Sequence, residues 1–289
     1  MKKILLISLF LSLIIIYTGT EAVAFNSHED ITTEGLKAEN ISDLSSEMIE
    51  DGNEGQDNIF SPNFNNGAHH FDNCMIEQGI SYINAQQNRV VLFAKDAPTD
   101  NDAKRKALEA FGELLHTAQD FYAHTNYVEL FLANNPSSQP SDIPIVDWNA
   151  LPSNLRSGYF FYHGILANEV TVDRKTAIEG LNEEGINGRF VQSPDELAKR
   201  RSTFEGALSY ANDNSILVLH ADLNKDKASS KEGKIVVPAT GFNLFNYAYN
   251  LAVRETERQW RELEKAIRRT YPGNADEIIN ALLGHEDAN

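Results

Sequence analysis

The stretch 111–130, FGELLHTAQDFYAHTNYVEL, constrains this chain more than any other. It lies inside a longer segment, about 101–133, whose apolar spacing predicts a helix. Asp100 serves as N-cap, and Asn134, Asn135 and Pro136 supply the stop. Positions i, i+4 and i+8 drift slowly round a helix and so share a face. His116, Asp120 and His124 hold those positions, while Leu108, Phe111, Leu115 and Tyr122 form an apolar strip that presses the helix into a core. Imidazole and carboxylate are zinc's ordinary nitrogen and oxygen ligands, and a packed helix fixes their geometry, so the column suits a metal site. A solvated polar face is the competing reading of the same three residues. One helix cannot close a site, so further ligands must come from elsewhere in the chain.

The N-terminus reads as an address. Lys2 and Lys3 precede an apolar run over 4–13 that extends to Tyr17, followed by Ala22, Val23 and Ala24. A basic start, a short hydrophobic middle and an A-x-A pattern predict a signal peptide over 1–24, cleaved after Ala24, and a secreted or periplasmic protein. The run is too short to span a bilayer comfortably, and no other segment is long and apolar enough to do so. Cleavage would make Phe25 the new N-terminal residue, with a free α-amine. Cys74 is the single cysteine, so no internal disulfide framework exists, and the fold must rely on its core, with metals as a further support open to it. Residues 25–289 read as a single all-α domain. The net charge of −17 excludes a general basic surface for nucleic acid. It leaves phosphoester substrates open, because bound cations supply positive charge locally.

Along the chain, Ser27 and Asp30 form a capping box that opens a short helix through Ile31 and Leu36, and a second covers about 43–50. The Gly-, Asn- and Pro-rich stretch 51–69 is an irregular loop suited to presenting ligands. Asp72 or Asn73 caps a helix to about Phe93. A proline- and serine-rich loop follows the central helix to about Pro152. Ser193-Pro194-Asp195-Glu196 starts a helix through Phe204, Leu208 and Ile216. A polar loop over 221–241 leads to a long amphipathic helix, 242–270, and a terminal one over 275–283. Only 90–93 and 235–237 tempt as strands, and both are short. The class is all-α, a multi-helix bundle.

Several residues outside the central helix carry ligand chemistry. His28 follows the expected α-amine of Phe25 by three residues, so the two can share one ion, although first-turn histidines are more often capping or surface residues. Asp57 and the pair His69–His70 flank the polar loop. Adjacent histidines point in different directions, so one of the two joins Asp57 and the other orients the loop. His163 and His285 read as ordinary histidines, and Cys74 as a small apolar residue rather than a thiolate ligand.

LHTAQDFYAHTNYVEL at 115–130, together with HHFDNC at 69–74, LRSGYF at 155–160 and LNKD at 223–226, resembles the Het-C family, in the family's order. More distantly the chain is similar to the zinc-dependent phospholipases C and the fungal zinc nucleases. That resemblance implies their all-α fold and two to three zinc ions. It implies Phe25, through its α-amine, and His28 as one set of ligands, and Asp57, His70, His116 and Asp120 as another, with Asp120 bridging. Three departures stand out. Phe25 replaces the phospholipases' initial tryptophan. Asn126 occupies the place of their next histidine, so His124 stands in. Their H-x-x-x-E pair lacks a clean counterpart, and His220, ahead of His163, Glu129 and Glu169, is the candidate.

The implied reaction is phosphodiester hydrolysis. Zinc acidifies bound water and clamps oxygens at phosphorus, with Asp57 as catalytic carboxylate that orients or deprotonates the water. The expected partner is a phospholipid or another phosphodiester, with transient membrane contact in which the aromatic run 159–162 near Trp148 touches acyl chains. A core role for that run is the plainer reading. A zinc nuclease on the same scaffold and a non-catalytic, Het-C-type interaction or toxin-associated protein are the alternative functions.

Overall fold

The structure, a computed structural model, describes residues 28–159, 203–213, 218 and 220–285. The expected signal segment, Phe25, Ser27, His163, Glu169, residues 160–162 of the aromatic run and the helix start expected at Ser193 lie outside the described residues. The chain folds as an all-α multi-helix bundle, built from α1 (His28–Leu36), α2 (Asp43–Glu54), α3 (Ile76–Ala94), α4 (Asn101–His124), α5 (Tyr127–Asn134), α6 (Phe204–Ala211), α7 (His220–Leu223), α8 (Leu244–Thr270) and α9 (Ala275–Leu283). Among the described residues there is no strand, only isolated bridges between Thr125 and Ser157 and between Val236 and Asn243. The two tempting strand segments therefore resolve differently: 90–93 belongs to α3, and 235–237 contributes one bridge. No helix among these residues is long and apolar enough to cross a membrane.

α4 is the axis. Asp100 caps it through Asp102 and Ala103, and from Leu114 to His124 every residue is buried. The apolar strip Leu108, Phe111, Leu115 and Tyr122 sits in the core, and α2, α3 and α8 pack around it. His116, Asp120 and His124 are at most 2% exposed, so their face is not a solvated one. The α2–α4 crossing needs glycine on both sides. A Cβ at Gly112 would stand 1.9 Å from Ile49 O, and one at Gly52 2.1 Å from Glu109 O. This close approach puts Asn53 of α2 against His116.

The helix expected over 101–133 is two helices. Asn126 interrupts it, because its side chain is claimed from outside: its amide donates to Ala211 O at 3.0 Å and accepts from Arg156 N at 2.9 Å. Arg156 in turn donates to the carbonyls of Tyr210 and Ala211, tying the bend to α6. α2 runs to Glu54 and continues as a 3-10 turn, Gly55–Asp57, so the irregular loop starts later than expected, at Asn58. α3 opens at Ile76 without a side-chain cap. Neither Asp72 nor Asn73 caps it, because Phe71, Asn73 and Cys74 all adopt left-handed φ between 54° and 57°. Such conformations cost about 1–3 kcal/mol each and persist where the surroundings fix them. Phe71 is fully buried, stacked on Trp148 and edge-on to Phe121, while Asn73 N and Cys74 N bond Gly158 O and Ser157 Oγ. The strained turn sends His70 and Asp72 to two different places.

Candidate metal centre

Three histidines from separate elements meet at Asp120. His28 comes from the first turn of α1, His70 from the strained turn, and His116 from one helical turn before Asp120 on α4. Asp120 Oδ2 lies 3.0 Å from His70 Nδ1 and 3.1 Å from His116 Nε2, and those nitrogens are 3.0 Å apart. Asp120 Oδ1 lies 3.2 Å from His28 Nε2. Asp57, at the end of the 3-10 turn, stands slightly back. Its Oδ1 is 3.9 Å from His70 Nδ1 and 3.8 Å from His116 Nε2, and its Oδ2 is 3.9 Å from His28 Nε2. Each carboxylate thus turns one oxygen toward His28 and the other toward the His70–His116 pair.

The outer nitrogens of the same rings face acceptors. His28 Nδ1 is 2.6 Å from Gln119 Oε1, His116 Nδ1 is 3.1 Å from Asn53 Oδ1, and His70 Nε2 is 3.3 Å from Asn63 O. A ring nitrogen facing an acceptor carries the proton, which leaves the other nitrogen with its lone pair. With one proton on each ring, three lone pairs and two carboxylates point into one space, an arrangement that calls for positive charge, whether from a cation or from added protons. Asp120 Oδ1, buried, accepts no hydrogen bond of good geometry. Two ligands on one tetrahedral zinc stand roughly 3.3 Å apart, and the spacings found, 3.0–3.9 Å, bracket that value. These His/Asp groups could hold a metal ion.

Protons are one source of that charge. Burial by itself would lower the pKa of His28, but the attraction of Asp120, with Asp57 and Gln119 behind it, outweighs burial and pushes it up to about 9. The same contest raises His70. At His116 burial prevails and the pKa falls. Burial would raise the Asp120 carboxyl, yet His124 and His116 hold it well below the usual range.

A second group adjoins the first. His124 Nδ1 donates to His70 O at 2.8 Å, and its Nε2 lies 3.0 Å from Asp226 Oδ1. His220 Nδ1 lies 2.6 Å from Asp72 Oδ1, and the two rings meet edge to face at 4.2 Å. Asn224 donates to both His220 Nε2 and Asp226 Oδ2, at 2.9 and 2.6 Å. Here imidazole and carboxylate pair directly at hydrogen-bond distance. Burial notwithstanding, the carboxylates of Asp120, Asp226 and Asp72 raise His124 well above its ordinary pKa. Asp72–His124–His220 and Asp120–His124–Asp226 are likewise sets that could hold an ion. The segment is clamped to the α4–α5 junction by Lys225, fully buried, whose Nζ bonds Glu129 Oε1, Thr125 O and Leu223 O at 2.8–3.0 Å.

The structure thus places His28, Asp57, His70, His116 and Asp120 in one group and His124 and His220 in its neighbour, while Phe25 lies outside the described residues. His69 turns away, bonded to Gln56 and Asn66 and stacked on Tyr82. Burial and the nearby His70 and His116 hold its pKa down at about 4. Cys74 Sγ lies 3.2 Å from the Ser157 carbonyl oxygen, and His285 bonds Asn40 O at the surface. Asp72, Asp226, Gln119 and Asn53 were not singled out as site residues from sequence. Asp72 looked like a helix cap, Asp226 was one letter of a motif, and neutral amides carry no ligand signal.

A family model described as the VWA7 N-terminal domain matches residues 44–139, about a third of the chain, a span that includes Asp57, His70, His116, Asp120 and His124. No curated protein and no solved structure matches the chain.

Proposed function

We propose that this chain is a secreted, zinc-dependent phosphodiester hydrolase of the phospholipase C type. The observation that carries the reading is the meeting of His28 Nε2, His70 Nδ1 and His116 Nε2, whose rings each turn the other nitrogen to an acceptor, on the buried Asp120 carboxylate. His70, His116, Asp120 and Asp57 would hold one ion. His28, the other Asp120 oxygen and the α-amine of Phe25 would hold a second, and a third would fall to His124 and His220. The resemblance to Het-C proteins and zinc phospholipases supports this assignment. Bound zinc supplies Lewis acidity, polarising a phosphoryl oxygen and making a water acidic near neutral pH.

Asp57 then has the catalytic part. Its side chain is 13% exposed against 1% for Asp120, so it is the carboxylate that solvent and substrate reach. It accepts the proton of the attacking water as the new P–O bond forms; the bond to the leaving oxygen breaks, and that oxygen takes up a proton. With a net charge of −17, an electrically neutral phosphatidylcholine surface suits the protein better than a polyanion.

The test is zinc analysis of purified protein paired with hydrolysis of phosphatidylcholine and of single-stranded DNA, with and without chelator. Chelator-sensitive release of the lipid head group is expected. Cleavage of DNA alone would transfer the site to a nuclease, and protein without metal or activity would leave a non-catalytic interaction role.

A further inference from the structure

Two buried amides outside the ligand set decide where the histidine protons sit, and their orientation can be read from one backbone carbonyl. A carbonyl oxygen only accepts, so the Thr256 hydroxyl, 3.0 Å from Ala252 O, commits its single proton there. Gln119 Nε2, 2.9 Å from Thr256 Oγ1, must therefore donate, as it does to Thr32 Oγ1 at 3.1 Å. That fixes Gln119 Oε1 toward Asn53 Nδ2 at 3.2 Å and His28 Nδ1 at 2.6 Å. Asn53, its amino group so engaged, presents Oδ1 to His116 Nδ1 at 3.1 Å. The chain of donors and acceptors has one consistent direction, and it requires N–H on Nδ1 of both rings. Gln119, Asn53, Thr32 and Thr256 are at most 1% exposed and come from four helices, so water cannot replace a lost acceptor.

We propose that Gln119 is a positioning residue that, directly for His28 and through Asn53 for His116, holds a proton on Nδ1 of each ring and so reserves both Nε2 atoms, which face Asp120, for the metal. The proposal rests on the metal-binding reading above and names the residue behind the ligands that makes their tautomers uniform. Partners of this kind orient metal-bound histidines, and their loss typically weakens metal binding about 10–100-fold.

Nitrogen NMR of the histidine rings in purified protein, combined with zinc competition against a chelator, tests it. The unaltered protein is expected to show Nδ1–H on His116 without metal and on both rings when zinc is bound. Gln119→Leu leaves the His28 Nδ1–H without its acceptor, so the His28 nitrogen resonances should shift and zinc should bind about 10–100-fold more weakly. Gln119→Glu keeps an acceptor toward His28 and should leave those resonances in place and bind zinc at least as tightly. A space-filling role predicts the reverse order, because Glu adds a buried charge whereas Leu only removes hydrogen bonds. Equal zinc affinity in Gln119→Leu, or Nε2–H on His116 in metal-free protein, overturns the proposal. If the Leu variant does not fold, the unaltered spectrum and the Glu variant decide. Protein that binds no zinc yet shows Nδ1–H on His116 would sink the metal reading and leave the tautomer assignment standing.

Discussion

Asp120→Asn preserves the shape of the central carboxylate and removes its charge. In the metal-free protein that charge is what keeps His28 protonated, against the burial that would otherwise strip it. His28 has a pKa of about 9 when folded and 6.5 as an ordinary side chain. A difference of that size is worth roughly 3 kcal/mol. Because the folded value is the higher one, the stabilisation is fully present below pH 6.5 and is lost as pH rises through about 9. His70 and His124 are raised in the same sense and add to it. The total should fall near the 3–5 kcal/mol typical of breaking a buried ion pair. For a chain of this length that is a drop of about 6–10 °C in melting temperature. Calorimetry in chelator should therefore show the two proteins far apart at about pH 6 and converging at about pH 10. A gap that is the same at both ends, or under about 2 °C at the acid end, would refute the electrostatic account of this cluster.

Two further perturbations probe the surrounding frame. Lys225→Met leaves Glu129 as a buried anion whose Oε2 already accepts no hydrogen bond, and should cost about 3–5 kcal/mol in urea denaturation, most of it recovered by adding Glu129→Gln. A loss below about 1 kcal/mol would show that the pair is not what clamps the 223–226 segment. Gly112→Ala drives a methyl against Ile49 O and should cost about 3 kcal/mol while weakening zinc binding, since pushing α2 from α4 draws Asn53 away from His116. Unchanged zinc affinity in a folded, destabilised variant would separate the helix crossing from the site.

How much of this was legible in the sequence depended on whether a residue's role is set locally. The 3.6-residue spacing fixed the face of α4 and its partners Leu108, Phe111 and Leu115, because burial of a helix stripe is a property of the stripe itself. The i, i+4 relation of His116 and Asp120 was readable for the same reason. The break at Asn126 was not, because what ends the helix is Arg156 and Ala211, far along the chain. Asp72 looked like a cap until its neighbours took left-handed φ and His220 claimed its carboxylate. Gln119 stands beside Asp120 in the most informative motif of the chain, yet its value lies in Thr256 and Asn53, which no spacing rule connects to it.

The central claim is that an ion sits among His28, His70, His116, Asp120 and Asp57. Anomalous diffraction at the zinc absorption edge, from crystals of the purified protein grown with zinc, tests it most directly. The account predicts a peak about 2.0–2.2 Å from His70 Nδ1, His116 Nε2 and an Asp120 oxygen. Full-occupancy zinc found elsewhere on the molecule, with these side chains still in contact with one another, would contradict it.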